Sequence, residues 1–452
     1  MLESNRFIFG LTGSLGSGVS TSAKYLVKSL GSKTYKITGK GWNSGTPIGV
    51  KNEAYKFSRI IEEEAENRGN SKPFKRELLQ KIGNELRQKD NGYLAKEILK
   101  RIDIVEGKVT SKSSYPIIID GIKNSGEITE FRKYHNFFLF AIDANFDKRW
   151  GRKKLAYQGI KKFKEDDERD HDENLDYGQQ VDKCVYLSDI LFNNDSKKIK
   201  ELTDRIEAYI ALIQKTKYMY PMPCESAMTQ AYCKSLESTC LKRKVGAIII
   251  SDDGIPLVSA CNEVPYPAQS CEKKFGMCYR DKVKIDLIRN LKNCPNCGIP
   301  IQQNIICPRC KNSIKIKNLT PKCPRCNLDL DIDLSFICKG CNFKIVKNFI
   351  GKRSEVCRAL HAEEKAILQL AKLGMGISLK NSNITLYTTT FPCPQCANKI
   401  VGTGIKRIVY VEPYPTKESQ DLLINTLKKK NVEKFEGVKA RNYFRVYDRS
   451  QW

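Results

Sequence analysis

His361-Ala362-Glu363 and Pro392-Cys393-Pro394-Gln395-Cys396 bring an imidazole, a carboxylate and two thiols close together in the chain. Zinc in a catalytic site takes three protein ligands and keeps one position for water. His361, Cys393 and Cys396 are the expected ligands of one such zinc. The metal lowers the pKa of its water toward ~7, so hydroxide is available at neutral pH. Glu363 lies two residues past the histidine, close enough to reach that water without being a ligand. It is the expected catalytic proton carrier. A closed structural zinc site with an incidental glutamate is the competing reading. Helical patterning follows both ligand groups, over 362–373 and 397–402, so both should sit at helix N-termini, where the dipole favours thiolate.

A second set of residues points to phosphate. An apolar run, Phe7 to Leu11, leads into Thr12-Gly13-Ser14-Leu15-Gly16-Ser17-Gly18-Val19-Ser20-Thr21 and then a helical pattern. Strand, glycine-rich turn and helix make up the P-loop context. Gly13, Gly16, Gly18, Ser20 and Thr21 are the expected nucleotide-binding residues, with Ser20 where the magnesium-binding hydroxyl belongs. Asp120, ending the buried run Pro116 to Asp120, is the acid expected to face the magnesium and phosphates. The expected ligand is a magnesium–nucleotide. Val19 stands where such loops carry lysine, so binding is expected and phosphoryl transfer is not. Lys24, one helical turn further on, is the candidate to compensate. A tight turn without a ligand is the alternative.

A third set is structural. Between Lys292 and Phe349 come Cys294/Cys297, Cys307/Cys310, Cys323/Cys326 and Cys338/Cys341. Eight cysteines at knuckle spacing predict two zinc sites of four thiolates each. Sequential pairing would give stacked ribbons, which the short gaps favour; interleaved pairing would give a cross-brace. So small a segment has little core, and metal would supply its folding energy. Its basic surface suits nucleic-acid or partner contact, or a rigid insert beside the active-site mouth. Cys271, Cys278 and Cys357 read as a further zinc site or as buried free thiols.

The 452 residues allow two or three domains. No apolar run approaches the ~18 residues of a membrane helix, and no signal peptide is read, so the expectation is a cytoplasmic protein. Of 18 cysteines, ten sit in C-x-x-C pairs, which in a reducing compartment means metal rather than disulfides. A net charge of +27 implies anionic partners, nucleotides or nucleic acid. The lysines are spread along the whole chain, so a generally solvated basic surface explains the charge equally well.

Alternating strand and helix patterns over 1–217 predict a P-loop, nucleotide-kinase-like domain with a parallel sheet. Tyr218 to Cys224 reads as a linker. Residues 225–452 predict an α/β/α domain with the ribbons, 292–349, inserted before the catalytic histidine. Within it 442–447 reads as a last short strand. The overall class is α/β.

The H-x-E…P-C-x-x-C pattern is the signature of zinc-dependent deaminases. The second domain resembles the cytidine and deoxycytidylate deaminase family, deoxycytidylate branch. Ser238 to Ala247, Cys261 to Pro265, His361 to Glu363 and Thr389 to Cys396 carry the likeness. It implies that Arg243 abuts the substrate phosphate and Asn262 hydrogen-bonds the sugar. The whole chain is similar to bacterial anti-phage dCTP deaminases, through the glycine-rich loop, Ile119 to Asn124, Asp166 to Asp170, Tyr177 to Val181 and the catalytic motifs. That similarity implies deamination of dCTP, and of dCMP, under control of the N-terminal domain by a regulatory nucleotide or RNA. It also implies a homo-oligomer. Two rivals stand beside it: a deaminase of cytosine or adenine in single-stranded DNA or RNA using the basic ribbon, and a non-catalytic nucleotide or nucleic-acid sensor.

Overall fold

The structure is a computed structural model. It describes residues 7–31, 34–38, 46–51, 54–108, 116–173, 175–196, 198–300, 304–307, 312–315, 324–326, 350, 356–375, 383–413, 417–448 and 450. The chain divides into two units. One combines Met1–Ser226 with Phe435–Trp452; the other is Ala227–Lys434.

The first unit is built on a six-stranded sheet in the order Gly437–Val438, Ile190–Asn193, Phe137–Asp143, Ile8–Thr12, Ile117–Asp120, Tyr55–Lys56. All pairings are parallel except the first, which is antiparallel. Continuous apolar runs suit strands buried on both faces. Alternation sorts their side chains: Phe9, Leu11, Phe138 and Phe140 join one core, and Ile8, Phe137 and Leu139 the other. Helices Val19–Ser29 and Ile199–Ile213 cover the first face, through Leu26, Val27, Leu202 and Ile206. Phe57–Asn67, Arg76–Lys89, Tyr93–Lys108 and Ser125–Phe131 cover the second. Leu11 and Asp120 are in register, so the glycine-rich loop and the acid share the carboxyl end of the central strands.

Two features of this unit lie beyond the reach of local patterning. Phe435–Trp452, left with the second domain by a linear reading, completes the first sheet. Residues 443–447, which alternate like a strand, form a helix, Tyr443–Tyr447. Tyr443, Val446 and Tyr447 then share a face against the core, and that packing overrides β-propensity. The returning segment is fixed by Glu225, which is fully buried. Its carboxylate accepts from Tyr209 Oη (2.9 Å), Tyr447 Oη (2.6 Å), Met222 N (2.6 Å) and Val438 N (2.6 Å).

The second unit has a five-stranded sheet in the order Val432–Lys434, Arg407–Glu412, Thr385–Thr390, Gly246–Ile250, Pro256–Cys261. Thr385–Thr390 runs parallel to Arg407–Glu412 and antiparallel to Gly246–Ile250. Helices Ala362–Lys372, Pro394–Thr403 and Lys417–Leu427 bury Ala366, Leu370, Ala397, Ile400 and Leu423 with Ile249, Leu386 and Ile408 of the sheet. Each fully buried leucine or isoleucine contributes roughly 1.5–3 kcal/mol. Among the described residues no helix is long and apolar enough to cross a membrane.

Of the knuckle cysteines, Cys310, Cys323, Cys338 and Cys341 lie outside the described residues. Cys294 accepts from Asn296 N at 3.4 Å in a knuckle turn. Cys294 is buried and Cys297 exposed. Gly298 N donates to Cys294 O (2.9 Å) and Cys294 N to Ile299 O (2.8 Å), which close the turn. Among the described residues only His361, Cys393 and Cys396 gather three donors within reach of one metal. Cys307 follows the hairpin strand Asn304–Ile306, paired with Ser313–Lys315. Its Sγ lies 3.6 Å from Cys326 Sγ. That contact sets one cysteine of the second C-x-x-C pair beside one of the third.

Candidate active site

His361 is the N-cap of Ala362–Lys372, and Cys393 is the N-cap of Pro394–Thr403. Pro394 occupies the first turn, where its missing N–H costs nothing and its fixed φ suits the helix. Phe391 N donates to Glu412 O (2.8 Å), fixing the exit from Thr385–Thr390 just before Cys393. Leu360 N donates to Glu263 O (3.0 Å), fixing the approach to His361. The Lys365–Glu263 ion pair ties the histidine's helix to the same segment. Both metal-ligating groups are therefore set by strand-end hydrogen bonds and helix caps.

His361 Nδ1 lies 3.3 Å from Cys393 Sγ and 3.2 Å from Cys396 Sγ. All three donor atoms fall within 4.8 Å of one another. Glu363 is 4% exposed, and its Oε2 lies 3.7 Å from Cys396 Sγ. Contact with Cys396 and with the His361 ring pulls the Cys393 thiol down to about 4, against the effect of burial. The paired thiol of Cys396 is pushed up, first by its contact with Cys393 and then by burial. His361 is raised by its contact with the Cys393 sulfur. Burial pushes the Glu363 carboxyl up. One nitrogen and two soft sulfurs converging on a point fit zinc, and three protein donors leave a coordination position open.

Asn262 is buried and held at both ends of its amide. Its Oδ1 accepts from Ser238 Oγ (2.9 Å) and Val245 N (2.7 Å), and its Nδ2 donates to Arg243 O (2.8 Å). It braces the loop that carries Arg243. The Arg243 guanidinium is half-exposed and reaches Glu412 Oε2 at 2.7 Å. Thr390 Oγ1 meets the same oxygen at 3.5 Å, so Arg243 is placed at the strand end that leads into Cys393. Glu412 was not legible as a site residue, because no motif contains it; only strand register brings it there.

Ser20 Oγ donates to Asp120 Oδ1 at 3.0 Å. Gly13, Gly16, Gly18, Ser20, Thr21 and Asp120 all line one cavity of about 400 Å³ in the first unit. Gly16 (φ 80°) and Gly18 (φ 108°) hold left-handed conformations that a side chain would strain. The motifs Ile119 to Asn124 and Tyr177 to Val181 also meet. Asn124 Nδ2 donates to Gly178 O (2.8 Å), and Gln180 N to Lys123 O (2.8 Å).

Comparison with known proteins accords with this geometry. Residues 222–412 match the cytidine and deoxycytidylate deaminase zinc-binding region. The chain is 26% identical over 224 residues to the deoxycytidylate deaminase of Saccharomyces cerevisiae, covering 50% of this chain and 46% of that enzyme. The Schizosaccharomyces pombe deoxycytidylate deaminase is 24% identical over 325 residues, 69% of this chain and 77% of its own. That stretch exceeds what the second unit alone contains. The enzyme of Enterobacteria phage T4 is 27% identical over 223 residues, 47% of this chain and 94% of its own. The chain thus spans under half the length of the first of these relatives and most of the other two.

Proposed function

We propose that Ala227–Lys434 is a zinc-dependent hydrolytic deaminase that converts deoxycytidine nucleotides, dCTP and also dCMP, to deoxyuridine nucleotides. The observation that carries this reading is the convergence of His361 Nδ1, Cys393 Sγ and Cys396 Sγ beside the buried Glu363 carboxylate. Zinc held by those three residues would supply the Lewis acid that makes water nucleophilic at neutral pH. Water oxygen bonds to C4 of the base, the C4–N bond breaks, and the amino group leaves as ammonia. Glu363 carries one proton of the attacking water to the ring nitrogen, and then the remaining hydroxyl proton to the leaving amino nitrogen as the C4 carbonyl forms. Arg243, held by Glu412, sits on the Cys393 side of the site as the phosphate contact, and Asn262 sets its position.

The knuckle cysteines hold two further zinc ions in this reading. Those ions would supply the folding energy of so small a segment. The subunits assemble as a homo-oligomer. The first unit binds a nucleotide at its glycine-rich loop and controls the second. Depletion of dCTP in anti-phage defence rests on the whole-chain resemblance. The test is ammonia release from cytosine mono-, di- and triphosphates, ribo and deoxy, and from single-stranded oligonucleotides, each with and without added ATP or GTP. Turnover of free deoxycytidine nucleotides is expected. Turnover confined to oligonucleotides, or none under any condition, would overturn the proposal.

A further inference from the structure

The glycine-rich loop keeps its backbone donors free. Ser17 N turns back to Ser14 O (3.0 Å) and Ser22 N to Gly18 O (2.9 Å). Among the described residues no protein group accepts from the amides of Gly16, Gly18 or Val19. The loop's carbonyls, by contrast, are taken. Arg149 Nη1 donates to Leu15 O (3.1 Å), Arg152 Nη1 to Gly16 O (3.3 Å), and Asn194 Nδ2 to Ser17 O (2.6 Å). A loop with occupied carbonyls and free amides is a cradle for an anion. Its missing element is a cation on the phosphates, because Val19 replaces the lysine.

The surrounding cations can be sorted by what already holds them. Lys123 lines the cavity but pairs with the fully buried Asp170 at 2.7 Å. Arg152 is spent on backbone carbonyls, Asn194 O (2.5 Å) among them. Lys24, one turn along the loop's own helix, is exposed and does not line the cavity. Lys153 is different. It ends the helix Phe146–Lys153, lines the cavity and is half-buried, and among the described residues it has no ion pair or hydrogen bond. Its Cγ lies 3.2 Å from where a Cβ on Gly16 would stand, so its stem runs against the loop.

We propose that Lys153 is the displaced counterpart of the loop lysine. It reaches in from the helix beyond the loop to neutralise the phosphate chain of a magnesium–nucleoside polyphosphate. Ser20 and Asp120 supply the hydroxyl and carboxylate for the metal. The inference rests on the nucleotide-binding role given to this loop above. It also makes occupancy visible to the rest of the unit, because Arg149 on the same helix forms a buried ion pair with Asp167.

The test is calorimetric titration of the full-length protein with magnesium tripolyphosphate and with magnesium–ATP. Wild type, Lys153→Met, Lys24→Met and the double variant Lys153→Met/Val19→Lys are compared. Losing one charge-assisted contact should weaken binding by about ten- to hundredfold in Lys153→Met. Lys24→Met should change it by less than about twofold, as exposed charges do. Restoring a lysine at position 19 should recover affinity in the double variant, which a merely misfolded Lys153→Met could not do. Wild-type binding matched by Lys153→Met would overturn the assignment of Lys153 and leave the loop reading standing. No binding by wild type at millimolar ligand would overturn the loop reading itself.

Discussion

The two candidate sites solve the same placement problem by opposite means. In the second unit the three metal donors and the carboxylate sit inside two short motifs, and helix caps and strand ends do the aiming: His361 and Cys393 are N-caps, and Glu363 and Cys396 lie within the first turns. In the first unit the motif supplies backbone and the Ser20 hydroxyl but no charge. The charges come from residues far along the chain, Asp120, Arg149, Arg152 and Lys153, delivered by sheet register and by a helix of another segment. A site of the first kind tolerates drift in the rest of the fold. One of the second kind is sensitive to it.

The largest expected effect lies in the self-contained site. Glu363→Ala should lower turnover by about 10³-fold, within the range of ~10²–10⁴ for a lost general acid–base. Zinc content by elemental analysis and magnesium–ATP binding should match wild type, because Glu363 belongs to neither donor set. Retained turnover would remove Glu363 from the chemistry. Lost zinc would make it a structural residue.

The next effect probes the dispersed site. Arg149 and Asp167 are buried at 6% and 4% exposure and bonded through both guanidinium nitrogens, and Arg149 also holds Leu15 O. Removing one partner of a buried pair leaves an uncompensated charge and costs about 3–5 kcal/mol. Arg149→Met should therefore destabilise the first unit by about 3 kcal/mol and weaken magnesium–ATP binding, with zinc content unchanged. Trp150 lies on the same helix as Arg149, and Ala227–Lys434 contains no tryptophan, so tryptophan fluorescence reports unfolding of the first unit. An unshifted fluorescence transition would show that the loop does not depend on this pair.

This contrast also explains what was legible in the sequence. The H-x-E and P-C-x-x-C residues were readable because their spacing is local, and the structure brings all four together. The parallel sheet was readable from Phe7–Leu11, Pro116–Asp120 and Phe137–Asp143, whose apolar runs leave little choice of fold. The return of Gly437–Val438 to the first sheet was not, because its only sequence trace is a pair of small residues and a distant glutamate. The helix Tyr443–Tyr447 was hidden by an aromatic alternation that looks like a strand until the core it packs on is known. Lys24 was the nearest lysine in sequence to the vacant loop position. Lys153 lines the cavity, as Lys24 does not, and nothing in 146–153 announces that.

A smaller effect tests whether Asn262 is a substrate contact or a brace. Asn262→Ala would leave Val245 N and Arg243 O without their side-chain partners, at about 1–3 kcal/mol for an unsatisfied buried group. The second unit should lose about 2 kcal/mol of stability. KM should rise more than kcat falls, because Arg243 shifts while the zinc ligands do not. A fall in kcat alone, with stability intact, would place Asn262 on the substrate instead.

The smallest effect concerns an ion network in the first unit. His171 lies between Asp167, with Nε2 3.4 Å away, and Asp182, with Nδ1 2.5 Å away. Those two carboxylates, Asp167 first, raise the imidazole to about 10. Burial alone would push Asp167 up, but His171 and Arg149 outweigh it and hold its carboxyl below the usual range. The sign follows for each. A group whose folded pKa exceeds its unfolded value of ~6.5 contributes fully below ~6.5 and loses that contribution as pH rises through about 10. The depressed Asp167 works the other way, contributing above ~3.9 and losing its share as pH falls through its lower folded value. The network is therefore strongest between ~4 and ~6.5. Asp182 is exposed and solvent screens its half of the interaction, so the expected loss on moving from pH ~6.5 to pH ~10 is only about 1 kcal/mol. Tryptophan-monitored unfolding should show that decline in wild type and a flatter profile in His171→Gln. A wild-type profile that rises toward pH ~10 would mean that His171 is not held as the cation between these two acids.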